Sequence, residues 1–248
     1  MIVVCSGEGV SDLGCCSNML GVCDGNDFRF GPFSVVLDGI IEECLGYSPK
    51  EVCPSIYRYY SETSLAQRAQ ERKNQRRGFV LSGQKHGVET GFFYINAWML
   101  GEIAKELEEQ EEDTAVAVLF RDSDGTNTSP RDLWLRKVES MRAGFIRGEY
   151  SRGIAMVPRP KSESWFLCAA KENAYQHCAA LEELPGNDTS PNAAKRELAK
   201  CLGAEATADE LLRWIDQNAI RYELLAEQMP SFSDFYTRAK LIFSSLRG

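Results

Sequence analysis

The chain has 248 residues, 44% hydrophobic and 26% charged, with a formal net charge of −8. That length suits one large α/β domain or a core domain with a smaller addition. The acidic balance argues against a protein coated for non-specific nucleic-acid binding, and no apolar stretch reaches bilayer-spanning length. Met1-Ile-Val-Val-Cys5 is too short for a signal-peptide core and has no basic leader, so a cytoplasmic location with no membrane partner is the expectation.

Residues 1–6 read as a buried strand, followed by the loop Ser6-Gly-Glu-Gly-Val-Ser-Asp12. Beyond a Gly- and Asp-rich stretch, Gly31-Pro32 opens a helix whose Val35, Val36, Ile40, Ile41 and Leu45 share one apolar face. Residues 52–60 predict a short strand, the basic, Gln-rich 64–77 a helix, and 79–82 an extended segment. A long helix pattern over 90–109 ends in a Glu-rich face and leads to an apolar strand at 114–120. Pro130 sits at the start of a helix over 130–144. Gly153-Ile-Ala-Met-Val157 is another buried strand, stopped by Pro158 and Pro160, and a helix follows over about 161–172. Strand and helix alternate throughout, which predicts a mostly parallel sheet sandwiched by helices. Pro185-Gly-Asn-Asp-Thr-Ser-Pro191 is a loop, and 192–247 reads as three or four helices. The expected organisation is an α/β domain over 1–184 with a helical C-terminal appendage over 185–248 packed on it.

The chemistry gathers at expected strand ends. The segment Arg121-Asp-Ser-Asp-Gly-Thr126 sets Asp122 and Asp124 where the strand over 114–120 leaves the sheet. Two carboxylates held so close repel and invite a counter-charge, usually a hard divalent cation. Asp and Gly are also ordinary turn residues, so a plain capped turn stays open. Glu8 follows the first strand between two glycines, and Glu163 follows the last in Pro158-Arg-Pro-Lys-Ser-Glu-Ser-Trp165. In an open parallel sheet, functional groups collect beyond the carboxyl ends of strands. With only His86 and His177 in the chain, a multi-histidine centre is excluded. The nine cysteines include no Cys-x-x-Cys pair, and reduced, partly buried thiols are the expectation.

Cations cluster between Arg58 and Lys85, seven against two anions, a local balance of +5. Such a patch fits a phosphate-bearing substrate; a solvated helix face explains it equally well. Lys85, Lys161 and Arg159 are the expected phosphate contacts, and His86 beside Lys85 is at most a general acid. Arg121 should point away from Asp122, because neighbours on an extended segment alternate sides.

Taken in order, Cys5-Ser-Gly-Glu-Gly-Val-Ser-Asp12, the apolar strand ending Asp122-Ser-Asp124, and Pro160-Lys-Ser-Glu-Ser-Trp165 resemble a Toprim domain. The resemblance is greatest to small bacterial Toprim-like proteins associated with anti-phage defence systems, and covers about residues 1–175. It implies a compact βα fold and Mg²⁺- or Mn²⁺-dependent cleavage of nucleic-acid phosphodiesters. Glu8 would be a general acid/base or metal ligand, Asp122 and Asp124 metal ligands, and Glu163 a further acid of the catalytic set. It also implies nucleic acid as partner, with an ATPase or another defence subunit beside it. The insert between the first strand and the Asp-x-Asp is longer than in a minimal Toprim domain. Two other readings remain. Asp122-Ser-Asp-Gly-Thr126 also fits a haloacid-dehalogenase-like phosphatase with Asp122 as nucleophile, although no downstream Asp-Asp pair follows. The chain could otherwise be a non-catalytic Toprim-like subunit that binds nucleic acid or a defence complex.

Overall fold

The computed structural model describes residues 1–75, 90–124 and 132–247. Its centre is a five-stranded sheet built on β1 (Ile2–Gly7), β5 (Tyr57–Tyr60), β6 (Ala115–Phe120) and β7 (Gly153–Met156), which run parallel. The fifth strand, β3 (Val22–Asp24), pairs antiparallel with β5 at the edge, giving the order β3-β5-β1-β6-β7. A two-stranded antiparallel ribbon, β2 (Gly14–Cys16) with β4 (Phe28–Phe30), lies outside this sheet. Three of these strands, β2 to β4, fall in the Gly- and Asp-rich stretch that carries no periodic signal. Strict strand–helix alternation therefore fails there, since three-residue strands are too short to establish a period of two.

Alternation along the central strands explains the layering. Val3 and Cys5 of β1, Val116, Val118 and Phe120 of β6, and Ile154 and Met156 of β7 point to one face. Ile2, Val4, Ala115, Ala117, Leu119 and Ala155 point to the other. The first face is covered by α1 (Pro32–Leu45) and α6 (Glu163–Ala170). The second is covered by α3 (Glu62–Gln75), α4 (Gly91–Glu111) and α5 (Leu133–Arg147). A single-turn helix, α2 (Pro49–Val52), precedes β5. The predicted helix start at Pro130 and the extended segment 79–82 lie outside the described residues, as do Lys85 and His86.

Four helices follow residue 184: α7 (Ala194–Leu202), α8 (Ala208–Gln217), α9 (Tyr222–Gln228) and α10 (Pro230–Ser244). They have no core of their own. Leu198, Leu211, Leu225, Phe232, Phe235 and Phe243 join the same apolar cluster as α1, α6 and one face of the sheet. Trp165, fully buried, stacks on Phe235 at 5.7 Å and meets Phe232 edge-on at 4.9 Å. Truncating so large a buried ring costs about 3–5 kcal/mol. No helix among the described residues is long and apolar enough to cross a membrane.

The cysteines differ from the expectation. Cys16 is bonded to Cys23 and Cys168 to Cys178, while Cys5, Cys15, Cys44, Cys53 and Cys201 are free. The first bridge ties β2 to β3 and the second ties α6 to the 3-10 turn at Cys178–Glu183. Spacings of 7 and 10 residues carry no motif; only the fold brings these thiols within bonding distance.

Candidate functional site

The parallel strands β1, β6 and β7 end level, since Gly7 and Met156 both pair with Phe120. The chain turns toward β5 on one side of β1 and toward β7 on the other side of β6. The order therefore reverses between β1 and β6, where open α/β sheets make their ligand crevice. Glu8 is the first residue beyond β1 and Asp122 the second beyond β6.

Past its last strand residue, the β6 chain keeps running beside 158–160. Ser123 N–H donates to Pro158 O at 3.2 Å and Asp124 N–H to Pro160 O at 2.9 Å. Neither proline has an N–H to return, so the ladder is one-sided and regular pairing stops. Asp124 then adopts φ +45°, in the left-handed region that Asp tolerates better than most residues, and its side chain is half-exposed.

Three carboxylates meet around Ser162, the residue just before α6. Ser162 N–H donates to Asp122 Oδ1 at 2.9 Å, and Ser162 Oγ–H lies 2.9 Å from Asp12 Oδ1 and 3.4 Å from Glu163 Oε2. Asp12 is held in place from behind. Its carbonyl accepts from Phe33 N–H at 3.0 Å, and Leu13 O accepts from Gly31 N–H at 2.8 Å and from Ser34 Oγ at 2.7 Å. The first turn of α1 thus fixes the loop that carries Asp12. Burial pushes the Asp122 carboxyl well above its usual range, and the negative charges of Asp12, Glu163 and Asp124 add to the rise. Burial also raises Asp12 and Glu163, against the lowering effect of Lys161 and Lys195 on both. Each of these acids resists ionisation because it is buried beside like charge.

A second cluster stands on the other side of Asp122. Arg121 points away from it, as expected from alternation, and forms ion pairs with Glu8 at 3.2 Å and with Glu62 at the start of α3. Its guanidinium lies over the Phe93 ring at 5.1 Å, and Asn96 donates to Glu62 at 3.1 Å. Burial raises the Glu8 carboxyl, while Arg121 pulls it down and Glu62 and Asp124 push it up. The expected acidic set is thus split. Asp122 and Glu163 come together with Asp12, Glu8 is held by Arg121, and Asp124 acts electrostatically on both Asp122 and Glu8.

Of the expected phosphate contacts, Lys161 stands at the site, 3.6 Å from Asp124 and 3.3 Å from Asp188. Arg159 pairs with Glu183 at 2.6 Å, and Lys85 lies outside the described residues. Three of the four described cations of the basic patch are paired with acids of α4. Arg58 pairs with Glu111, Arg68 with Glu106, and Arg72 with Glu102. The Glu-rich face of α4 is its counterpart, so these cations bind α3 and β5 to α4.

The sequence reading missed Asp12 and Glu62 as members of these clusters. Asp12 ends the first motif, and its distance from the strand end hides its role. Glu62 was visible only as one anion among the cations of its helix.

In kind, the donors around Ser162 fit a hard divalent cation, being carboxylate oxygens only. Ser162 occupies one oxygen of Asp122 and one of Asp12, and Asp122 Oδ2 has no hydrogen-bond partner among the described residues. As oriented, no group of three or more His, Cys, Asp or Glu among those residues is gathered to hold an ion. Comparison of the chain with protein families, with curated proteins and with solved structures found no match. What is established of the architecture is an α/β fold with a mostly parallel central sheet flanked by helices, and further helices after residue 184.

Proposed function

We propose that this chain is a Toprim-like, Mg²⁺- or Mn²⁺-dependent nuclease that hydrolyses nucleic-acid phosphodiesters. The observation that carries this reading is the crowding of Asp12, Asp122 and Glu163 around Ser162 at the crevice beyond β1 and β6. Asp122 and its neighbours Asp12, Asp124 and Glu163 would hold the cation, with Glu8 at the edge of the set. A bound divalent cation supplies neutralisation of phosphate charge and an acidified water. The chain's own residues do the rest. Ser162 orients Asp122 and Asp12 through its N–H and hydroxyl, and Arg121 keeps Glu8 poised beside the crevice. Lys161 meets the anionic substrate at the rim. The motif resemblance extends the reading to anti-phage defence, with an ATPase or other defence subunit as partner.

The test is direct. With Mg²⁺ or Mn²⁺, the purified chain should cleave DNA or RNA, and Asp122→Ala should reduce cleavage by at least about a hundredfold. Mn²⁺ should raise the wild-type melting temperature and leave that of Asp122→Ala unchanged. Full cleavage by the variant would sink the assignment. An aspartyl-phosphate trapped on Asp122 would move it to the phosphatase class. Binding without turnover, across metals and substrates, would make it a binding subunit.

A further inference from the structure

The connection from β7 to α6 carries two cations, Arg159 and Lys161. Its backbone is fixed beside the end of β6, where Pro158 O and Pro160 O accept from Ser123 and Asp124. Each cation is met by an acid from one later segment. Arg159 pairs with Glu183 at 2.6 Å, and Lys161 with Asp188 at 3.3 Å. Lys161 also stands 3.6 Å from Asp124, at the rim of the acidic crevice. The segment that supplies these acids is anchored on both sides. Glu183 ends the 3-10 turn whose Cys178 is bonded to Cys168 of α6, and its buried neighbour Glu182 accepts from Ser231 N–H at 2.8 Å. Around Asp188, Asn187 Oδ1 takes the N–H and the hydroxyl of Thr189 at 3.0 and 2.9 Å. Beyond it, Ala193 and Ala194 are buried at the opening of α7. Residues 183–188 are thus a strap whose two acids lie on the two cations of the β7–α6 connection.

Two carboxylates set on two cations present the charge that two phosphates of a strand would bring. We propose that residues 183–188 are an autoinhibitory strap. Glu183 and Asp188 occupy the cations that receive backbone phosphates of the nucleic acid, and the bound strand displaces them. This rests on the nuclease reading and names a regulation of that same site. Both acids are exposed, Glu183 at 70% and Asp188 at 49%. Exposed ion pairs are weak, so a polyanion that meets both cations at once can lift the strap. A single phosphate replaces one acid and leaves the other in place.

Binding of labelled single-stranded DNA and RNA oligonucleotides of about 20 nucleotides, in Ca²⁺ and at about 50 mM salt, tests the strap. The double variant Glu183→Gln with Asp188→Asn should bind about three- to tenfold more tightly than wild type, since two weak pairs no longer compete. Each single substitution should give part of that gain. Arg159→Ala with Lys161→Ala should weaken binding, and adding the two acid substitutions to that background should restore nothing. Unchanged affinity in the double variant overturns the strap. So does an equal gain in the background without the two cations, because a general loss of negative charge would act in both. In either case wild-type binding keeps the nuclease reading. Binding by the double variant alone is the strongest form of the expected result. If neither it nor wild type binds either oligonucleotide, the nuclease reading falls and the strap with it.

Discussion

Two carboxylate clusters flank the end of β6, made of the same residue types and a few residues apart in the chain. On one side Glu8 and Glu62 share the guanidinium of Arg121. On the other, Asp12, Asp122 and Glu163 share only the dipoles of Ser162, with Lys161 and Lys195 at a distance. The first cluster carries its counter-charge as a built-in side chain and is complete. The second gathers like-charged groups in a partly buried place with no cation bonded to them, which costs stability. An acid at a strand end is therefore informative only together with its cation.

The comparison can be broken most forcibly at Arg121. Arg121→Met removes the cation that Glu8 and Glu62 share. Both acids are roughly two-fifths exposed, so the loss should be about 2 kcal/mol, below the cost of stripping a partner from a fully buried pair. Urea unfolding measures it, and an unchanged midpoint would show that the acids relax into solvent.

The opposite sign is expected next door. Asp122 has its folded carboxyl raised, so the folded state favours the protonated form. Its contribution is favourable below the ordinary carboxylate range and is lost as pH rises through the raised value. Asp122→Asn keeps an acceptor for Ser162 N–H and removes the charge. It should stabilise by about 1 kcal/mol at pH 8, with the advantage shrinking as pH falls toward 5. Melting temperatures of the two proteins across that range provide the check, and a gain that grows with acidity would contradict the like-charge account. Smallest of the three, Glu62→Gln removes one half-exposed member of a pair that Glu8 can still satisfy. A loss under about 1 kcal/mol is expected by the same unfolding measurement; a larger one would make Glu62 the main partner of Arg121.

Much of this molecule is legible in its sequence, for reasons that can be stated locally. The runs at 2–7, 115–120 and 153–156 are apolar and short, with turn or proline signals beyond them, and they form the parallel core. Gly31-Pro32 marks the start of α1, and the tail resolves into four helices. Asp122 and Glu163 can be placed at strand ends because such ends are bounded by visible breakers. The remainder depends on contacts between distant segments. Asp12 joins the site through backbone bonds from the first turn of α1, some twenty residues away. Arg58, Arg68 and Arg72 look like a patch for phosphate until α4 folds its glutamates across them. The two disulfides follow from the same closure of distant strands and turns.

Ser231 sits at the start of α10. Its N–H meets the buried Glu182 at 2.8 Å, and its hydroxyl takes the indole N–H of Trp165 at 2.8 Å, two residues after Glu163. The acidic site and the last helix are therefore mounted on one rigid strut of hydrogen bonds and stacked rings. A partner that grips α10, or a truncation that removes it, would be transmitted straight to the footing of Glu163. The distal end of the chain is in this sense a handle on the site.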